Sequence, residues 1–151
     1  MGLDEAEFDI DHPVLNVFQA FAERADPLNY ARRFVAEPPT GAEPTHLFFS
    51  EGMHDQMTMP RQIENLAAAS GCSLMTPSTR EVEAMQLRGR EPQAPPVSGN
   101  AEGPAGEPVT CVLVQYPEDG HFAVFYNPEA KRHYTGFLDT LMHQPPPKVG
   151  P

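Results

Sequence analysis

"VTCVLVQYPEDGHF", residues 109–122, decides how the chain is read. Val109 to Pro117 is rich in β-branched residues and nearly continuous in apolar character, where a half-exposed strand would alternate. That is the pattern of a strand buried on both faces of a parallel sheet. An acidic turn, Gly120 and then His121 come next, so an imidazole is delivered to the end of a buried strand.

A buried parallel strand needs partners and covering helices. "HLFFSEG" (46–52) is a second short apolar run bounded by turn signals, and "PRQIENLAAASG" (60–71) behind it is a helix, with Pro60 near its start and Gly71 past its end. "CSLMTP" (72–77) reads as a brief extended piece. After His121, "NPEAKRHYTGFLDTLMHQ" (127–144) places Tyr134, Phe137, Leu138 and Leu141 on one helical stripe, and "PPPKVGP" reads as a frayed end. Toward the N-terminus, "DHPVLNVFQAFAERADPLNYARRFVA" (11–36) has Val14, Val17, Phe18, Phe21 and Ala22 at helical spacing, with Asp11 placed to cap and Pro13 in the first turn. That helix should end near Asp26-Pro27, with a second short helix or turn through Tyr30 to Val35. The fold class expected is α/β: parallel strands with flanking helices, preceded by a helical segment over residues 1–40, the remainder (41–151) forming the sheet domain.

Composition bounds the rest. A chain of 151 residues can bury one core, and its 18 prolines and 11 glycines imply long loops. They concentrate in "TREVEAMQLRGREPQAPPVSGNAEGPAGEP" (79–108), so an irregular, mobile insertion is expected from about Glu91 to Pro108. A net charge of −11 repels phosphate backbones, which argues against nucleic acid as a partner. No stretch is long and apolar enough to span a membrane, and "MGLDEAEFDIDHP" is acidic where a signal peptide is basic and then apolar, so a cytoplasmic setting is expected, with secretion the alternative if the natural N-terminus lies further upstream. Cys72 and Cys111 lie beside apolar residues without CxxC or zinc spacing; buried free thiols are expected, a disulfide being the alternative for a secreted protein. No cofactor is expected.

Two successive strand, loop, helix units predict parallel strands whose functional residues sit at the strands' C-terminal ends. The loop after the first strand, "SEGMHDQMTMP" (50–60), carries Asp55; the loop after the second carries His121, 66 residues later. An imidazole that takes a proton from a nucleophile needs a carboxylate on its other nitrogen to fix its tautomer and stabilise the imidazolium, and these two residues are the candidate pair. Glu51 and Asp119 are rival carboxylates, and a metal site of His54, Asp55 and His121 is a further alternative. His54 should be exposed, while Met53, Met57 and Met59 either fill gaps in a packed loop or line an acyl pocket.

This arrangement resembles the C-terminal part of the α/β-hydrolase fold in its serine esterase and lipase-like members, in which the chain order is nucleophile, acid, histidine. The resemblance runs from about Thr45 to Gln144 and rests on Asp55 ahead of a proline-opened helix and on His121 in "DGHF". It implies that Asp55 and His121 are catalytic, that the substrate is a small-molecule or lipid carboxylic ester, and that the N-terminal helices end a cap or lid. The family's G-x-S-x-G elbow is absent, and Ser50, Ser70, Ser73, Ser78 and Ser98 all lack a strand-to-helix elbow context. The expectation is therefore an acid and base portion of a serine hydrolase, inactive alone, whose partner is its own N-terminal half or another copy. A non-catalytic module that binds a partner through an exposed sheet edge is the alternative from a different class.

Overall fold

A computed structural model describes residues 12–151; the acidic opening residues and the expected cap Asp11 lie outside the described residues. At the first helix, α1 (Pro13–Ala22), the side chain of His12 accepts a hydrogen bond from the Val14 N–H. Short 3-10 turns continue over Glu23–Ala25 and Pro27–Arg33. The helix forms where its spacing predicts, yet none of its residues is buried, and Phe21 is 87% exposed. Its apolar stripe finds no covering element among the described residues.

Three parallel strands form the central sheet in the order β1 (Leu47–Gly52), β5 (Cys111–Tyr116), β2 (Ser73–Leu74). Helix α2 (Pro60–Ser70) connects β1 to β2, and Gly71 ends it in the left-handed conformation, φ +86°, which glycine adopts without steric cost. The short helix α3 (Glu83–Gln86) and an antiparallel pair, β3 (Ala101–Glu102) with β4 (Pro108–Val109), lie between β2 and β5. After β5 come α4 (Ala123–Tyr126) and α5 (Pro128–His143).

Strand β5 is buried along its whole length, as its continuous apolar run predicts. Its side chains alternate between two cores. Cys111 and Leu113 join Leu47, Phe49 and Leu74 under Ala67 and Ala68 of α2, while Val112, Val114 and Tyr116 join Phe48 under Ala130 and Phe137 of α5. Burying Val112, Leu113 and Val114 contributes about 1.5–3 kcal/mol each. The buried stripe of α5 is Ala130, His133 and Phe137 with Leu141 partly covered, where the sequence suggested Tyr134 and Leu138 in place of Ala130 and His133; Leu138 is exposed. His133 is tolerated in this core because its Nδ1 hydrogen-bonds the Tyr116 hydroxyl at 2.9 Å.

Further expectations from the sequence do not hold. The cysteines are not free thiols: Cys72 and Cys111 form a disulfide, both fully buried. Parallel register explains it, since Ser73 pairs with Val112 and the residue before each therefore faces the other. Nor is the segment from Glu91 to Pro108 unpacked. The Gln93 backbone bonds Leu74 and Thr76, Val97 exchanges two backbone hydrogen bonds with Val149, and the Asn100 side chain brackets the Cys111 backbone through N–H and C=O alike. Val97 and Ala101 are buried, and so is Val149 of the tail expected to fray. Proline and glycine content says how little side-chain area the segment has, not where its backbone polar groups pair.

Cross-linking positions 39 residues apart restricts the unfolded chain by about 4 kcal/mol. Replacing Cys72 and Cys111 together with alanine is accordingly expected to lower unfolding free energy by about 2–5 kcal/mol in urea titrations monitored by circular dichroism.

Candidate active site

Where β1 and β5 end, their loops interlock. Met53 N–H donates to the Tyr116 carbonyl at 3.1 Å and His54 N–H to the Asp119 carbonyl at 2.8 Å. Gly52 makes this possible, because a Cβ there would lie 2.1 Å from the Gly120 carbonyl oxygen. Any side chain at position 52 would push the two loops apart.

This approach brings Asp55 and His121 together. His121 Nδ1 lies 2.9 Å from Asp55 Oδ2, with the carboxylate buried and the imidazole partly open to solvent. The other oxygen, Oδ1, accepts hydrogen bonds from the N–H groups of Met57 at 2.8 Å and Thr58 at 2.9 Å. Burial alone would raise the Asp55 pKa, but hydrogen bonds from Thr58, His121 and Met57 together outweigh it and hold the carboxyl below its ordinary value. The carboxylate is thus kept ionised and aimed. With Nδ1–H donating to it, Nε2 is left as the neutral ring's proton acceptor and makes no hydrogen bond among the described residues. The Phe122 ring packs against the imidazole nearly at right angles, ring centres 4.9 Å apart.

The rival carboxylates have other duties. Asp119 Oδ2 accepts from Asn127 Nδ2 at 2.6 Å, while Asn127 Oδ1 caps α5 through the N–H groups of Glu129 and Ala130. The histidine loop is thereby tied to the start of α5. Glu51 points to the α2 side, fully buried beside Gln115, Glu64 and Arg80. Arg80 donates to Glu64 at 2.7 Å but stands 3.8 Å from Glu51, and neither Glu51 oxygen makes a hydrogen bond. Burial, then the neighbouring charge of Glu64, push the Glu51 carboxyl up to about 7.

His54 is exposed, as expected, and among the described residues no group of three or more His, Cys, Asp or Glu side chains is arranged to hold a metal ion. Met57 and Met59 do not fill gaps: they are 72% and 60% exposed, and only Met53 is half-buried. The roles of Gly52, Asn127 and Glu51 were not foreseen from sequence. A glycine closing a strand run was the only available trace of the first. No known protein family, curated protein or solved structure matches the chain.

Glu51 gives the structure a pH dependence of definite sign. Its folded pKa, about 7, exceeds the ordinary carboxyl value of 4.5, so the folded state holds the proton more tightly and stability falls as pH rises from about 4.5 to 7, then levels off. Glu51→Gln removes the ionisation and is expected to raise stability by on the order of 3 kcal/mol at pH 8 but little at pH 5, read as the difference in urea midpoints.

Proposed function

We propose that Asp55 and His121 are the acid and base of a serine hydrolase of the α/β-hydrolase type acting on carboxylic esters. The hydrogen bond of 2.9 Å between a buried, doubly anchored carboxylate and a partly exposed imidazole carries this reading. A solvated surface pair needs no such anchoring. In the proposed reaction Nε2 of His121 takes the proton of a serine hydroxyl as it attacks the ester carbonyl, and then returns it to the departing alkoxide. Asp55 stabilises the imidazolium formed between these steps. Water repeats the cycle on the acyl-enzyme, releasing the acid.

In this proposal the nucleophile comes from outside the described residues, among which no serine is hydrogen-bonded to His121. The reading therefore treats this chain as the acid and base portion of a larger catalytic unit, with the missing strands and serine supplied by an upstream segment or a separate subunit. The helices over residues 13–33 fit the end of a cap. The buried Cys72–Cys111 disulfide supports an oxidising compartment over the cytoplasmic setting expected from sequence. Among the described residues no helix is long and apolar enough to cross a membrane.

The chain alone is expected to hydrolyse p-nitrophenyl butyrate no faster than free imidazole. Joined to the serine-bearing segment it should turn the ester over; His121→Ala should abolish this, and Asp55→Asn should cost on the order of 10⁴-fold in kcat. A joined His121→Ala protein working at the parent rate would overturn the proposal.

A further inference from the structure

Beside the acid loop lies a cleft of about 400 Å3, within the range of about 300–1,000 Å3 typical of small-molecule sites. Its walls come from three elements: Leu28 on the 3-10 turn over Pro27–Arg33, Phe49 on β1, and Ile63 and Leu66 on α2. Phe49 and Ile63 pack against the α2-side core, so the floor is apolar, while Leu28 stays 41% exposed. Thr58 forms part of the lining, and its N–H is one of the two donors that anchor Asp55. The cleft therefore adjoins the loop that positions the candidate acid.

Charge narrows the occupant. No Lys, Arg or His lines the cleft, and the one ionisable group there, Asp26, already accepts a hydrogen bond from the Leu28 N–H at 2.9 Å. A carboxylate ligand would meet that negative charge with no cation to offset it. An uncharged chain gains apolar burial without that repulsion. We infer that this cleft binds a neutral alkyl or acyl chain, such as the acyl part of an uncharged medium-chain ester. Its use as a substrate pocket rests on the hydrolase reading, whereas binding itself does not. Coupled to the proposed reaction, the selectivity has a direction: the ester is held, and the acid formed from it is released.

The chain offers a clean probe, since its two isoleucines are Ile10 and Ile63. With δ1-methyl-labelled isoleucine, ethyl octanoate is expected to shift the Ile63 methyl signal saturably, and sodium octanoate to do so far more weakly. Gln62→Trp, an exposed position on the rim, should fill the cleft and weaken ethyl octanoate binding by about tenfold, the loss of roughly two methylene contacts. Leu28→Ser, also at an exposed position, should weaken it in the same direction.

An Ile63 signal that ignores the ester, follows both ligands equally, or moves only with protein concentration would overturn the inference. So would unchanged affinity in a folded Gln62→Trp protein. Saturable binding at Ile63 without esterase activity in the joined protein would sustain the cleft and sink the hydrolase reading; activity without binding would do the reverse.

Discussion

Parallel pairing of β5 on both its edges is the constraint on which the other features depend. A central parallel strand has neither edge nor face available to water, so its side chains must be apolar on both sides and each face must be roofed by a helix. Here α2 and α5 supply the roofs, and β1 and β2 supply the edges. The same direction of travel makes β1 and β5 end together, in register from Leu47 with Cys111 to Gly52 with Tyr116. Two loops far apart in sequence must then leave the sheet side by side. The Asp55–His121 hydrogen bond is a product of register as much as of side-chain chemistry.

At that edge the apolar faces give way to polar groups. On the α2 side the row Leu47, Phe49 ends in Glu51, opposite Gln115; on the α5 side β5 ends in Tyr116, hydrogen-bonded to His133. The two endings are satisfied unequally. Tyr116 and His133 satisfy each other, whereas Glu51 is buried between the like charge of Glu64 and a guanidinium 3.8 Å away that makes no hydrogen bond to it. A buried carboxyl without a hydrogen bond costs stability unless it keeps its proton, and the cost falls at the root of the loop that carries Asp55.

Much of the architecture was legible because it rests on local pattern. The continuous run of β5 and the proline and glycine that bracket α2 each state a physical requirement within a few residues. Asp55 and His121 could be paired because parallel strands deliver their C-terminal loops to one edge. The features that escaped depend on partners distant in sequence. Val97 and Val149 are unremarkable in their own segments and meet only through backbone bonding across the fold. The disulfide required knowing that β2 and β5 pair with Ser73 opposite Val112, and the α5 stripe required knowing that Tyr116 waits to bond His133. The apolar face of α1 is a clear periodic signal with no partner among the described residues, so periodicity predicted the helix and not its burial.

The covalent cross-link and the imidazole loop stand at opposite ends of one six-residue strand, separated by roughly 16 Å of extended backbone. That separation divides labour along the strand. The amino end is fixed by a covalent bond, while the carboxyl end is fixed only by hydrogen bonds to the β1 loop and to the start of α5. Local opening of the site loops can therefore run its course while the sheet beneath stays in place, held from the far end of the same strand.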